Sequence, residues 1–367
     1  MMSIWATRLL GATLKELEII EELKEGAGKI LSIPRLQVEI TPFKTGEAWT
    51  PDYIASISVD DKGFNAAVEV LASRSSAMFR GKIASLVSHT EKIGDLEPLL
   101  LSDYLSGEKR EECKNAGVNF IDLSGNAYVA HEGIYIERAG FPDSYPEKRP
   151  GRGPFSDKAS LILRVALEDE SKPWGVREMA QAAELDPGFV SRMMRELARR
   201  GYFGNEGRKF RMLDAKSLLE DWVSVYDYHK NEEHGYFCLA DNPGEILERL
   251  RNEGESGDLS YALSFQAGAN LVAPHSVYSA VHIYLKGESG RKLLERRLKL
   301  REVERGANVF LCHPHYKHSA FHQIHMVDGL WVVSNLQLYI DLYKYPLRGL
   351  EQAEYLYKHR LKGLIEG

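Results

Sequence analysis

Basic side chains are concentrated between Pro187 and Leu213, where seven Lys or Arg accompany two Glu, although the whole chain has a formal charge of −6. Arginine matches guanine edges and phosphates, and lysine and hydroxyl groups bind phosphates, so this composition indicates binding to duplex DNA. The predicted DNA-binding residues are Ser191, Arg192, Arg195, Arg199, Arg208, Lys209 and Arg211. The alternative is a solvated basic surface or a protein-docking module.

The spacing of apolar residues indicates which elements position these side chains. A helix is predicted to begin after Ser156 or Asp157, either of which can cap it, and to end near Glu168. A second helix is predicted over 176–183, followed by a tight turn. These two helices are expected to support the basic segment.

The third helix has the clearest start signal. Asp186 is a good N-cap, and Pro187 suits the first helical position because its missing N–H costs nothing there. One face is predicted to be buried through Val190, Met193, Met194 and Leu197. The helix stops at Gly201, and a hairpin with a basic return strand follows. This order is typical of a winged helix-turn-helix, with its third helix in the major groove and its hairpin on the DNA backbone.

Imidazole and thiol groups, which bind zinc, form a second cluster. It contains Cys312, His313, His315, His318, His322 and His325, with His282 further upstream. Zinc requires three or four converging ligands, and His318 and His322 have the spacing to share a helix face. Pro314 interrupts regular structure, however, and neither a second nearby Cys nor an H-E-x-x-H motif occurs. We predict a polar loop between strands over 309–312 and 325–327, without metal; a metal site is the alternative.

Bulk composition excludes several classes of protein. The 44% hydrophobic and 27% charged residues are ordinary for a globular protein, and no stretch approaches the ~20 apolar residues that a membrane span needs. Cys113, Cys238 and Cys312 lie far apart, which suits reduced thiols. We therefore expect a cytoplasmic protein with no secretion signal.

The length of 367 residues predicts two or three domains. Helix-like and strand-like segments alternate in the first part, including a hairpin at Asp60–Gly63, and this favours an α/β layer. A Pro- and Gly-rich linker is predicted between Gly140 and Pro154. The predicted fold class is multidomain α/β (α+β), with an α/β domain over 1–145, a winged helix-turn-helix over 155–213 and a C-terminal α/β domain over 214–367.

The C-terminal part offers no reaction motif. A helix is predicted over Tyr261–Leu271 and a strand over Val281–Leu285. Five aromatic residues are predicted to pack in the core or an interface: Trp222, Tyr226, Tyr228, Tyr236 and Phe237. A Gly-rich phosphate loop, a Ser-His-Asp set and a Rossmann fingerprint are all missing, so we predict neither an enzyme nor a cofactor.

Two runs of sequence are distinctive. One is Gly117–Tyr128, and the other is Ser334–Leu342 followed by Pro346-Leu347-Arg348-Gly349. Together with the predicted winged helix, they make the chain resemble the AbiEi-type antitoxins of type IV toxin–antitoxin systems over nearly its whole length.

This resemblance implies a regulator that represses the promoter of its own operon and opposes a nucleotidyltransferase-like toxin without needing to contact it. The implied partners are duplex operator DNA, a cognate toxin and a second copy of the chain. In the family the winged helix is commonly N-terminal, whereas here about 150 residues precede it. A protein that neutralises a toxin by binding it is a further alternative.

The N-terminal domain resembles the restriction-endonuclease-like fold, in which an acidic residue and an E-x-K on successive strands hold a divalent metal at the scissile phosphate. The corresponding residues are Asp52 or Asp60, and Glu69, but Leu71 stands where the fold has lysine. We therefore predict an inactive domain without catalytic residues, and a metal-dependent nuclease is the alternative. Asp122 is predicted to cap a turn rather than to act in catalysis.

Overall fold

A computed structural model describes residues 14–43, 51, 53–145, 153–252 and 261–366. The chain divides into two compact units, Met1–Lys148 and Arg149–Gly367. Within the described ranges, no helix is both long and apolar enough to cross a membrane.

The first unit is built on one seven-stranded sheet in which the strands lie side by side in chain order. The strands are β1 (Leu36–Pro42), β2 (Tyr53–Val59), β3 (Lys62–Leu71), β4 (Glu97–Ser102), β5 (Asn119–Asp122), β6 (Ala127–His131) and β7 (Ile134–Arg138). The predicted hairpin at Asp60 joins β2 to β3, with Val59 opposite Lys62. Strands β3, β4 and β5 are parallel, and the remaining neighbours are antiparallel.

Three helices cover this sheet: α1 (Leu14–Ile30), α2 (Ser76–Ile93) and α3 (Gly107–Asn115). One apolar cluster joins α1 to one face of the sheet, and a second joins α2 and α3 to residues such as Ala67 and Leu100. Successive strand residues point to opposite faces, so β3 contributes to both clusters. The first unit is therefore a mixed α/β layer structure, as the alternation of elements predicts.

The second unit begins with three helices and a hairpin. These are α4 (Asp157–Glu168), α5 (Val176–Ala182), α6 (Pro187–Arg199), β8 (Phe203–Glu206) and β9 (Lys209–Met212). The predicted helices and hairpin are thus confirmed as elements. Ser156 occupies the N-cap of α4 but makes no side-chain cap hydrogen bond, and the Asp157 carboxylate, the other predicted cap, bonds a distant loop instead.

A second seven-stranded sheet follows, in the order β13-β10-β14-β12-β11-β16-β15. Its strands are β10 (Glu232–Phe237), β11 (Tyr261–Ser264), β12 (Val281–Leu285), β13 (Arg301–Glu302), β14 (Val309–His313), β15 (His325–Val327) and β16 (Leu330–Val332). The helices are α7 (Ala215–Val225), α8 (Pro243–Asn252), α9 (Phe265–Val272), α10 (Glu288–Arg297), α11 (Asn335–Tyr343), α12 (Gly349–Leu356) and α13 (Lys362–Ile365), with a 3₁₀ turn at Tyr228–Lys230 and a π-helical turn at Tyr357–Leu361.

The prediction of one helix over Tyr261–Leu271 is wrong in its first four residues. Tyr261–Ser264 is a fully buried strand that pairs with Val281–Leu285, and the helix begins only at Phe265. A short apolar run has no periodicity that separates a buried strand from a helix, and here strand pairing decides the outcome. The strand predicted over Val281–Leu285 is confirmed.

Both the three-helix segment and the second sheet lie in the unit Arg149–Gly367. The boundary predicted near residue 214 stays a prediction. Residues 146–152 of the predicted linker lie outside the described part of the chain.

Candidate nucleic-acid interface

Helix α6 presents one buried and one basic face. Val190, Met193, Met194 and Leu197 are buried, as their spacing predicts. The Asp186 carboxylate accepts a hydrogen bond from the Phe189 N–H at 2.9 Å, and Pro187 occupies the first turn. Glu184 adopts a positive φ of 52° in the turn between α5 and α6, which redirects the chain within two residues. Local sequence therefore fixes where α6 starts and which face it exposes.

The exposed face of α6 borders a groove of about 650 Å³ lined by Gly153, Gly188, Arg192, Met193, Arg195, Glu196 and Arg199. Arg192, Arg195 and Arg199 are exposed, and Ser191 is half-buried. The Arg195 guanidinium donates to the Ser191 carbonyl at 3.1 Å and lies 3.4 Å from its hydroxyl. The structure thus brings together the four predicted residues of this helix.

Part of the basic charge of this segment is neutralised by carboxylates. Arg199 and Arg200 both contact Glu196 at 2.8 Å, and Arg211 contacts Glu206 at 2.6 Å. Although burial acts to raise the pKa of Glu196, hydrogen bonds from Arg199 and Arg200 hold it below its ordinary value. The Arg211 hydrogen bond likewise lowers the pKa of Glu206. These carboxylates remain ionised at neutral pH and hold the arginines in place.

The hairpin is attached to the segment before α5, a contact that sequence reasoning missed. Trp174 and Phe210 exchange two backbone hydrogen bonds of 2.7 and 2.9 Å, and Arg211 donates to the Ser171 carbonyl at 2.5 Å. Lys209 lies 3.8 Å from Glu178, and Arg208 is exposed at the hairpin turn. The only sequence signal is the Lys172-Pro173-Trp174 stretch, whose extended conformation is typical of residues next to proline.

Helix α4 is fixed by the histidine-rich loop rather than by local capping alone. The Asp157 carboxylate accepts hydrogen bonds from the backbone N–H groups of His318 and Ser319, and His318 Nδ1 lies 2.7 Å from it. The Ser160 hydroxyl donates to the Ser319 hydroxyl at 2.8 Å. At the other end of the helix, His322 Nε2 lies 3.4 Å from Glu168. Two histidines of the cluster therefore contact the base of the three-helix segment.

A buried polar network continues from α4 into the second sheet. The fully buried Arg164 donates to the Gln337 side-chain oxygen at 2.5 Å and lies over the Trp222 ring. The Gln337 amide donates to Asp341 at 2.9 Å. Asp341 also accepts hydrogen bonds from three hydroxyl groups, those of Tyr226, Tyr284 and Ser264. Burial raises the pKa of Asp341 to about 6 and lowers that of Arg164 to about 10.

The histidine cluster does not converge. No group of three or more His, Cys, Asp or Glu residues among the described positions has the geometry to hold a metal. Residues 317–323 form turns rather than a helix, so the predicted shared helix face of His318 and His322 is wrong. The strands that flank the loop, over 309–313 and 325–327, are confirmed. The sequence predicted a polar loop here, but it did not predict that this loop packs along α4.

His282 and Cys312 lie inside the second sheet. The His282 ring stacks on Phe310 with centroids 4.8 Å apart, and burial lowers its pKa to about 4. Cys312 is fully buried, which raises its thiol pKa well above the ordinary value. Of the five aromatic residues predicted to pack, Trp222, Tyr226 and Tyr236 are buried, whereas Phe237 is 40% exposed.

The acidic residues of the first unit are also separated. Asp60 forms an ion pair with Arg35 in the β2–β3 turn. Glu69 lies seven residues beyond Lys62 on the same strand, roughly 23 Å from the turn. Glu69 is buried and contacts Lys82 of α2 at 2.8 Å, so a lysine reaches it from the helix although Leu71 follows it in the chain. Asp52 lies outside the described residues.

Asp122 caps the β5–β6 turn as predicted. It accepts hydrogen bonds from the backbone N–H groups of Asn126 and Leu105 at 2.8 and 3.0 Å, and from the Asn126 side chain at 2.9 Å. Burial raises the pKa of Asp122 in spite of these bonds. Gly125 has a φ of 102° in this turn, a conformation that favours glycine.

Comparison with known proteins gives one match. No curated protein and no solved structure matches the chain. The match covers the run Ser334–Leu342 but not Gly117–Tyr128, and it extends over about two fifths of the chain rather than nearly all of it. Residues 211–362 are similar to the family described as "Transcriptional regulator, AbiEi antitoxin, Type IV TA system".

Proposed function

We propose that this protein is a DNA-binding transcriptional regulator, an autorepressor and antitoxin of a type IV toxin–antitoxin-like system, and not an enzyme. The observation that carries this proposal is the exposed basic face of α6, with Arg192 and Arg195 on a capped helix beside a basic hairpin. The similarity of residues 211–362 to AbiEi antitoxin regulators supports the same role.

In this proposal the three-helix segment and its hairpin act as a winged helix-turn-helix. Arg192 and Arg195 enter the major groove, where arginine forks match guanine edges. Arg208, Lys209 and Arg211 of the hairpin hold the phosphate backbone. Ser191 enters the major groove beside the first two arginines, and Arg199 contacts a phosphate at the C-terminal end of the helix. Two copies of the chain would match two half-sites one helical turn of DNA apart.

The direct test is binding to DNA upstream of the protein's own gene and to random duplex, each measured across a salt series. The variant Arg192→Ala with Arg195→Ala is expected to lose its sequence preference, because one good base contact contributes about 1–3 kcal/mol of discrimination. A control with the same charge change combines Lys29→Gln with Lys62→Gln, both exposed residues of the first unit. Unchanged affinity of the arginine variant for the upstream DNA would refute the interface.

The antitoxin role predicts regulation without a stable toxin complex. Co-expression with the product of a neighbouring toxin gene is expected to restore growth while the two proteins purify separately. Joint purification would instead favour a toxin-binding interaction protein.

A second candidate function is a metal-dependent nuclease, and the contact between Glu69 and Lys82 favours it. An acidic group beside a lysine is part of the set that such enzymes place at a scissile phosphate. Plasmid nicking with Mg²⁺ or Mn²⁺ separates the two candidates. The regulator proposal predicts no metal-dependent nicking. Nicking that disappears in both Glu69→Gln and Lys82→Met, but persists in Lys29→Gln, would establish the nuclease.

A further inference from the structure

A second basic surface lies on α10 and the strand that follows it. We define the α10 surface as Lys292, Arg296, Lys299, Arg301 and Arg305, all of which are exposed. Leu294 and Leu298 are buried on the opposite side. Residues four apart share a helix face, so Lys292 and Arg296 point outward together, and Lys299 is exposed in the turn just beyond the end of the helix. None of these residues belongs to the α6 and hairpin interface.

The α10 surface carries charge that the protein does not neutralise. Between Lys286 and Arg305 the sequence has eight Lys or Arg and four Glu. Two of these Glu, at 295 and 302, contact Arg291, which is not a member of the surface. Glu288 contacts His313. Within the described ranges, no carboxylate lies within 4.0 Å of any of the five members.

The α6 and hairpin segment differs in this respect. Four of its seven basic residues contact carboxylates: Arg199, Arg200, Lys209 and Arg211. Charge counted along the sequence therefore overstates the free positive charge of that segment. The α10 surface has five basic side chains without such contacts among the described residues, although the chain as a whole is acidic. Like charges held together repel one another and attract a polyanion.

The spacing of this surface suits a nucleic-acid backbone. Lys292 and Arg296 are four residues apart, about 6 Å along the helix, and Lys299 follows in the turn after it. Duplex DNA presents about three to four phosphate charges over that length of its axis. Flexible lysine and arginine side chains can therefore reach several phosphates without reading a base.

We propose that the α10 surface binds the phosphate backbone of duplex DNA as a second, sequence-independent contact. This inference rests on the proposed function and extends it. Strand β13 forms one edge of the second sheet, whereas β15 forms the other edge and lines a cavity together with the end of α4. Six strand spacings separate these edges, roughly 29 Å. One turn of duplex DNA spans a comparable distance of about 34–36 Å, and in this proposal the second contact is made to DNA flanking the site that α6 reads.

The test compares two variants of the full chain that lose the same number of positive charges. The α10-surface variant combines Lys292→Gln, Arg296→Gln and Lys299→Gln. The control combines Lys29→Gln, Lys62→Gln and Lys358→Gln, which are exposed elsewhere. Binding to a duplex of about 30 base pairs, long enough for both contacts, is measured by fluorescence anisotropy across a salt series, with upstream and random sequences.

The α10-surface variant is expected to bind both duplexes at least tenfold more weakly at low salt, with an unchanged ratio between them. The slope of log affinity against log salt is expected to become shallower by about 2–3. Each of the three lost phosphate contacts reduces the magnitude of that slope by about 0.9. The control variant should keep the wild-type slope. A slope equal to that of the control would overturn the inference.

The outcome for the inference can be separated from that for the proposed function. If the Arg192→Ala and Arg195→Ala variant loses its sequence preference, the regulator proposal is supported. This holds whatever salt slope the α10-surface variant shows. If the wild-type protein shows no sequence preference, the regulator proposal fails. A slope that still becomes shallower on random duplex would then support the α10 surface alone. Equal unfolding midpoints of the two triple variants exclude misfolding as the cause.

Discussion

Individual buried residues carry the pH response of this protein, and His282 shows it most directly. Its ring is almost fully buried against Phe310 and Phe265, so protonation would place a charge where water cannot solvate it, with the Glu233 carboxylate 3.9 Å away. Burial lowers its pKa from 6.5 to about 4. The unfolded chain takes up this proton near pH 6.5 and the folded chain only near pH 4, so stability is lost as pH falls through that interval.

We predict that His282→Phe is less sensitive to acid than the wild-type protein. The difference in unfolding free energy between pH 7 and pH 4 should shrink by about 3 kcal/mol, the size that this pKa shift implies. Urea unfolding at both pH values measures it. The raised pKa of Asp341 acts in the opposite sense but is present in both proteins. His229→Gln, at an exposed position, serves as the control, and an equal response in the two variants would contradict the prediction.

At the scale of single elements, the start of α6 depends on its N-cap. The Asp186 carboxylate satisfies the Phe189 N–H, one of the groups that a helix start leaves without a partner. Asp186→Ala is expected to lower the unfolding free energy by about 1 kcal/mol, whereas Asp186→Asn should restore most of it because its amide oxygen can still accept the bond. Chemical denaturation measures both variants. An equal loss in the two would show that the cap is not the cause.

Helix α4 is an element whose position depends on distant residues. Its apolar spacing predicts the helix, but the contacts that hold it come from positions more than 150 residues away, at His318, Ser319 and Gln337. Arg164 is buried where a charged residue is costly unless it is hydrogen-bonded. Its two terminal nitrogens donate to Ser334 and Gln337, and Gln337 donates on to Asp341, whereas its Nε has no partner among the described residues. These bonds connect the base of the three-helix segment to the residues that match the AbiEi family.

At the scale of the whole molecule, the chain forms two compact units. The first is an α/β layer in which the acidic residues considered for metal binding are held in separate ion pairs, Asp60 with Arg35 and Glu69 with Lys82. The second combines the three helices, the hairpin and the second sheet. Within it, two groups of basic residues lie on different surfaces, one on α6 and the hairpin and one on α10.

The sequence by itself determined the local elements of the basic segment. Asp186, Pro187 and the apolar spacing of α6 act over a few residues, so the start of the helix and its buried face follow from the chain alone. The β2–β3 hairpin and the Asp122 turn are predictable for the same reason. Sequence charge also located the basic segment, because a count along the chain needs no structure.

Tertiary structure alone decided which charges are paired and which elements meet. Glu178 reaches Lys209, Lys82 reaches Glu69, and the loop around His318 packs on α4. Tyr261–Ser264 is a strand because it pairs with β12 rather than because of its own composition. These outcomes depend on contacts between residues far apart in the chain, which local propensity does not encode. These contacts also pair much of the positive charge around α6 with carboxylates. The α10 surface, although its segment is less basic in sequence, keeps a larger share of its positive charge unpaired among the described residues.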